Sequence, residues 1–395
     1  MGYYQNSLED LTMKSVPKIV DLFCGCGGFG LGAELAGFHT VAAVDIDANL
    51  QSAYKLNFPS TRVYNGDLST YTEKSWENIL NGEDVDGVIG GPPCQGYSRM
   101  GNSDKLDPRR TLLRHFFRNV NIINPKFFIM ENVEGLMDKR NVYELKNALK
   151  ALDKKYKVLE PMIIDASLYG APTKRKRVIL IGYNPERVAS FDVCSFVPNK
   201  QLKNTVADAI RDLSGPVPQG KDKDDFGWGS YLNGNSLSPY AKQMRALPKK
   251  GLGWTVARHK LQSGIISGYF DTKHTSPVQK RYSELNQGCV DSISRAKKLS
   301  WDGFCPTLRA GTGSDKGSHQ AVRPIHPEQP RVITVREAAR LQGFPDWFVF
   351  HPTKWHSFRM IGNSVSPLVS EYVLRVLYQL CDKNCRKEQV LESCD

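Results

Sequence analysis

Lys18-Ile19-Val20-Asp21-Leu22-Phe23-Cys24-Gly25-Cys26-Gly27-Gly28-Phe29-Gly30 decides the fold. An apolar run of strand length ends in a glycine turn, and a helix-like segment from Leu31 to Ala36 follows. Glycines let a ligand approach the backbone, and a helix N-terminus favours negative charge. The alternation continues outward. Thr40 to Val44 reads as a strand, Ala48 to Leu56 as a helix, and a third strand ends before Asn65. Further strands are expected at 86–90, 126–131 and 177–183, with helices at 110–123 and 141–151. This rhythm predicts an α/β fold with a parallel, doubly wound sheet. All strand C-termini then share one edge, where ligands bind.

The rhythm breaks after Tyr183. Residues 186–327 are rich in Gly, Pro, Ser, Asn and Lys and weakly periodic. Trp228, Trp254, Tyr269, Phe270, Trp301 and Phe304 supply core material, so the segment reads as a separate, irregular domain. Helix resumes at Thr334-Val335-Arg336-Glu337, which fits a capping box, and a last helix is expected over 366–380.

Of 395 residues, 40% are hydrophobic and 24% charged, ordinary for a soluble globular protein. No stretch is long and apolar enough to span a bilayer, and no secretory signal is visible. Nine irregularly spaced cysteines read as reduced cytoplasmic thiols, and none has zinc-site spacing, so no metal is expected. The net charge of +12 favours a polyanionic partner. Its basic clusters, Lys174 to Arg177, Lys249-Lys250, Arg295 with Lys297-Lys298, and Arg309 through Arg323, all lie beyond residue 173.

Four stretches carry chemistry. Gly90-Gly91-Pro92-Pro93-Cys94-Gln95-Gly96-Tyr97-Ser98 follows a strand signal, and its prolines stiffen the approach to a thiol at the ligand edge. Cys94 is therefore a candidate nucleophile; the alternative is a tight turn around a small, half-buried thiol. Asp45 ends the second strand, where an acidic residue accepts both hydroxyls of a ribose, and Asp67 after the third could meet an adenine amino group. Glu131 ends another apolar strand; a carboxyl at the mouth of a partly dry pocket can have a raised pKa and donate a proton. Arg175 and Arg177 alternate onto one face of a strand and suit a phosphate and a carbonyl oxygen.

With these residues in order, the chain resembles a DNA cytosine-5 methyltransferase of the bacterial restriction-modification type. The matching motifs are Asp21-Leu22-Phe23-x-Gly25-x-Gly27-Gly28, Pro93-Cys94-Gln95, Glu131-Asn132-Val133, Arg175-x-Arg177, Arg336 to Pro345 and Gly362-Asn363-Ser364-Val365. Thr173 stands where the family usually has Gln, and Asp45 where it often has Glu.

The resemblance implies a Rossmann-like, S-adenosylmethionine-dependent catalytic domain from 17–185 plus 328–380, with a target-recognition domain inserted at 186–327 and extensions at 1–16 and 381–395. It places Phe23, Gly25, Gly27, Asp45, Ile46, Asp67, Leu68, Pro93, Asn363 and Val365 around the cofactor, so the last helix must return to the first turn. It makes Cys94 the thiolate that adds to cytosine C6, Glu131 the donor at N3, Arg177 a partner of the thiolate or ring O2, and Arg175 a support for Glu131 or a phosphate. The base must be flipped from the duplex, and residues 97–112 resemble the loop that closes over it. Ser98, Arg109, Thr307, Arg309 and Gly311 are the expected DNA contacts.

The implied product is S-adenosylhomocysteine, the partner is double-stranded DNA, and a cognate restriction endonuclease can belong to the same system. A cytoplasmic monomer without membrane contact is expected. An RNA cytosine-5 methyltransferase is the alternative. A nicotinamide-dependent oxidoreductase gives no reason for Pro93-Cys94-Gln95, and a catalytically dead DNA-binding module gives none for Cys94, Glu131 and Arg177 together.

Overall fold

The computed structural model describes residues 16–93, 111–198, 202–234, 236–310 and 323–381. Strands β1 (Lys18–Leu22), β2 (His39–Asp45), β3 (Arg62–Asn65), β4 (Gly87–Gly90) and β5 (Phe127–Val133) alternate with helices α1 (Gly28–Ala36), α2 (Ala48–Asn57), α3 (Glu73–Leu80) and α4 (Leu112–Ile123). After α5 (Val142–Leu149) come β6 (Lys157–Val158), β7 (Met162–Asp165), the two-residue β8 (Thr173–Lys174) and β9 (Lys176–Tyr183). The main sheet has the order β3-β2-β1-β4-β5-β9-β6, with β7 also paired to β9.

Side-chain alternation explains why both faces are covered. Val20, Leu22, Val88, Phe128, Met130 and Leu180 face the core beneath α3, α4 and α5. Ile19, Ile89, Phe127, Ile129, Ile179 and Ile181 face the opposite core, which contains α1 and the C-terminal helix. Helix α3 had no counterpart among the expected elements; Thr72 and Ser75 close a capping box at its start.

The all-parallel expectation holds from β1 to β5 and fails beyond. β9 runs antiparallel to β5, and β6 and β7 run antiparallel to β9. No helix long enough for a parallel crossover separates β7 from β9, so the chain turns back on itself. The consequence is functional. The start of β9, not its end, meets the ligand edge, and Arg177 lies opposite Val133.

The later segment carries α6 (Val206–Ile210), β10 (Gly229–Ser230), α7 (Pro239–Arg245), α8 (Thr255–Gln262), β11 (Ile265–Ile266), α9 (Ser276–Glu284) and β12 (Cys305–Pro306). It is followed by α10 (Val335–Gln342), α11 (Lys354–Asn363) and α12 (Pro367–Cys381). The capping box at Thr334 and Glu337 is formed. One apolar cluster joins this segment to the early helices: Ile210, Tyr240, Tyr269 and Phe348 share it with Leu31, Tyr54 and Phe58. Among the described residues no helix is long and apolar enough to cross a membrane.

Candidate active site

Two strand ends build the candidate catalytic edge. β4 pairs with β5, Gly90 beside Met130, so the chain leaving β4 passes over the end of β5. A Cβ on Gly91 would come 3.1 Å from Glu131 Oε2, so a glycine there lets backbone lie against the carboxylate. Asn132, buried, donates from Nδ2 to the Pro92 carbonyl at 3.1 Å. This pair of contacts fixes Gly91-Pro92-Pro93, the segment that leads into Cys94. Cys94 itself, with Ser98, Arg109, Gly311 and most of the expected closing loop, lies outside the described residues.

Glu131 is 7% exposed. Arg177 Nε lies 2.9 Å from its Oε1. Burial pushes the carboxyl above its ordinary range, and the charges of Arg177 and Arg175 oppose the shift without cancelling it. A carboxyl in that condition keeps a proton more readily than a solvated one and is aimed by its guanidinium partner.

Arg175 falls between β8 and β9, two residues before Arg177, and the charges of both act on Glu131. The Arg175 side chain is buried and donates to the carbonyls of Leu308 (3.1 Å), Gly362 (2.8 Å) and Ser364 (2.9 Å). It reaches Glu131 through its charge and ties β8 to the segment after β12 and to the end of α11. Thr173 adds a hydroxyl bond to the Cys305 carbonyl, 3.2 Å, beside the parallel β8–β12 pairing.

The turn after β1 has the conformation its glycines suggest. Phe23, Gly25 and Gly27 all have positive φ, at 54°, 54° and 95°. Gly27 leaves no room for a side chain, since a Cβ would come 2.5 Å from the Phe58 ring, whereas Gly25 has nothing within 4 Å of that point. The turn therefore packs on α2 at one glycine and is open at the other. Asp45 crosses to it: the N–H of Gly25 donates to Oδ2 at 2.8 Å, and the N–H of Asp47 to Oδ1 at 2.8 Å. Each oxygen retains a lone pair for a ligand hydroxyl. Burial raises the Asp45 carboxyl from its usual range, opposed by these N–H groups.

Ile46 beside it is 69% exposed, an apolar side chain uncovered at the ligand edge. Asp67 is exposed and held below the usual range by the Ser69 N–H, 2.8 Å away. Leu68 has its side chain buried in the core, which leaves its backbone as the part that can face a ligand. Its carbonyl accepts from Arg118 and Asn119.

The C-terminal residues do return. A Cβ on Gly28 would come 2.5 Å from the Val365 carbonyl oxygen, and Cys26 Sγ lies 3.0 Å from Ser364 Oγ. Val365 has a buried side chain, while Asn363 is exposed at the end of α11. Pro93 is half-buried. The expected DNA contacts Thr307 and Arg309 follow β12. The Thr307 hydroxyl donates to the Lys174 carbonyl at 2.7 Å, so its proton braces the loop, and Arg309 is exposed.

Two residues escaped the sequence reading. Asn132 carries the Pro92 contact, and the signal was its place beside Glu131. Asp21, also inside a quoted motif, is 1% exposed. Burial, with a smaller push from Asp45, raises its carboxyl well above the usual range, against the Tyr54 hydroxyl that donates to it at 3.3 Å.

The model for C-5 cytosine-specific DNA methylase matches residues 17–379. The Type II methyltransferase M.XorII of Xanthomonas oryzae pv. oryzae is 39% identical over 363 residues, 90% of this chain and 83% of that protein. M.DdeI of Desulfomicrobium norvegicum, also a Type II methyltransferase, is 32% identical over 90% of this chain and 86% of its own length. A crystal structure described as a DNA modification methyltransferase encoded within an E. coli prophage superposes with TM-score 0.83 at 39% identity, covering 93% of this chain and all (100%) of that one. The Dnmt2 methyltransferase of S. pombe shares the fold at TM-score 0.60 and 16% identity, over 93% of this chain and 99% of that one. With the glycine turn, the buried glutamate and the chain ends meeting at one sheet edge, this chain belongs to the C-5 cytosine-specific DNA methylase family.

Proposed function

We propose that the chain methylates C5 of a cytosine flipped out of double-stranded DNA, through a covalent bond between Cys94 and C6. The observation that carries this reading is the buried, proton-favouring Glu131. It is aimed by Arg177 and lies against the backbone of Gly91, three residues before the thiol.

Cytosine C5 is a weak nucleophile. A thiolate adding to C6 sends electron density to C5, and a proton or hydrogen bond from Glu131 at N3 neutralises the charge that develops in the ring. S-Adenosylmethionine supplies the methyl group and leaves as S-adenosylhomocysteine. Loss of the C5 proton to a base, water being one candidate, then lets the Cys94 sulfur depart, and N3 returns its proton to Glu131.

The cofactor fits the opposite end of the same edge. Gly25 offers open backbone, Asp45 two lone pairs for ribose hydroxyls, Ile46 an apolar face, Asp67 an acceptor for an adenine amino group, and Asn363 a polar terminus. Phe23, Gly27, Leu68, Pro93 and Val365 complete its surroundings through backbone and packing.

Three buried cysteines are poorly suited to the nucleophile's role. Burial raises Cys24 well above the usual thiol range, Cys26 to about 12, and Cys305 likewise upward. Residues 186–327 serve as the inserted recognition domain, with Ser98, Arg109, Thr307, Arg309 and Gly311 on the DNA. By analogy with Type II relatives, methylation protects cellular DNA from a paired endonuclease, in the cytoplasm, with the enzyme acting as a monomer.

Incubation with 5-fluorocytosine duplex and S-adenosylmethionine tests the proposal. A covalent protein–DNA adduct is expected with the native protein and none with Cys94→Ser, which still binds DNA. Turnover by Cys94→Ser, or methylation of RNA in preference to duplex DNA, overturns it.

A further inference from the structure

Arg359 lies on α11, more than three hundred residues from the turn that carries Asp45, yet its Nη1 is 2.6 Å from Asp47 Oδ2. The other Asp47 oxygen caps α2, accepting from the N–H groups of Asn49 (3.0 Å) and Leu50 (3.2 Å). The Asp47 N–H is in turn one of the two donors that fix the Asp45 carboxylate. A continuous chain of contacts therefore runs from Arg359 through Asp47 to Asp45.

Both ends of the ion pair are sheltered, with side chains 27% and 21% exposed. Burial works against the Asp47 charge, but the guanidinium and the two capping N–H groups hold its carboxyl below the usual range. Arg359 is four residues before Asn363, so the two share a face of α11. The pair thus couples the turn bearing Asp45 to the helix that ends in Asn363, on two sides of the proposed cofactor site.

We propose that Arg359 is a positioning residue for S-adenosylmethionine and S-adenosylhomocysteine. It acts through Asp47 to hold the Asp45 carboxylate and α11 in their binding geometry. This inference rests on the cofactor reading above. The Asp47 cap alone would keep α2 folded; what Arg359 adds is the connection between two parts of the chain that are remote in sequence.

Calorimetric titration of S-adenosylhomocysteine into the full chain, without DNA, tests it. Arg359→Met keeps the stem and removes the charge; it should weaken binding about five- to tenfold, the scale of one sheltered ion pair. Arg359→Lys should recover part of the loss, because it keeps the charge with fewer directed donors. Asp47→Asn retains a competent cap and loses the ionic partner, so it should match Arg359→Met, and the double variant should be no weaker than either. At saturating cofactor, kcat should stay near the native value while the KM for S-adenosylmethionine rises.

Binding by Arg359→Met within twofold of native, or additive losses in the double variant, overturns the inference while the functional reading stands. Failure of the native protein to bind S-adenosylhomocysteine overturns the functional reading, and the inference with it. If Arg359→Met does not fold, Arg359→Lys and Asp47→Asn decide the matter by the same comparison.

Discussion

Glu131 is held between two opposing influences, and both can be read in measurements. Burial favours the neutral carboxyl and Arg177 the charged one, with burial prevailing. The native state therefore binds a proton that the unfolded chain has already released, in the window between the ordinary carboxylate value and the raised one. Across that window stability falls as pH rises. Glu131→Gln removes the titration while keeping the shape. Melting temperatures from mildly acidic to neutral pH should show a shallower decline for the variant, with no loss of stability at neutral pH. Its single-turnover methylation should be slower by about two to four powers of ten. A near-native rate would remove Glu131 from the chemistry. The burial of this carboxyl was legible in the sequence because it ends an apolar strand. The partners of Arg175 were not, since nothing near it in the chain indicates the three carbonyls, from Leu308, Gly362 and Ser364, to which it donates.

The strands show where sequence patterning stops being informative. β1 to β5 were readable because each is an apolar run separated from the next by at least one turn or helix signal, and repeated βαβ units impose parallel pairing. β9 is as apolar as its neighbours, but direction is not encoded in apolarity; it comes from the β7–β9 turn and the absence of a crossover helix. The antiparallel arrangement brings Arg177 to Glu131, so the feature that was missed is the one that completes the site. β5 also extends beyond the expected strand end to Val133, and this extension presents Asn132 to the Pro92 carbonyl. Removing that donor leaves a buried carbonyl unpaired, at a cost of about 1–3 kcal/mol. Asn132→Ala should therefore slow methyl transfer at least tenfold by releasing the segment before Cys94. Calorimetry should show a much smaller loss of S-adenosylhomocysteine affinity, since of the residues proposed for the cofactor only Pro93 lies in the segment that Asn132 holds. Equal losses in both measurements would show that Asn132 supports the whole edge and not the thiol segment.

The two ends of the chain are joined by the packing of α12 on α1, and this joint decides whether Val365 and the glycine turn can form one site. Their contact is tight enough to give a prediction whose sign opposes helix propensity. Alanine is favoured over glycine within a helix by about 1 kcal/mol. Gly32 lies inside α1, so an isolated helix would gain from Gly32→Ala. In the assembled protein, however, a Cβ there would come 1.9 Å from Ser370 Oγ and 2.4 Å from the Glu371 backbone nitrogen. The backbone atom cannot rotate away, and α12 must move. Overpacking of this kind costs about 1–3 kcal/mol and outweighs the propensity gain. Gly32→Ala should lower the urea midpoint and, by displacing Ser364 and Val365 from Cys26 and Gly28, weaken S-adenosylhomocysteine binding. Adding Ser370→Gly removes the side-chain clash but leaves the Glu371 nitrogen, so it should restore only part of the stability. A midpoint equal to or above native for Gly32→Ala would mean that the two helices can separate freely, and that the cofactor edge does not depend on the union of the chain's ends.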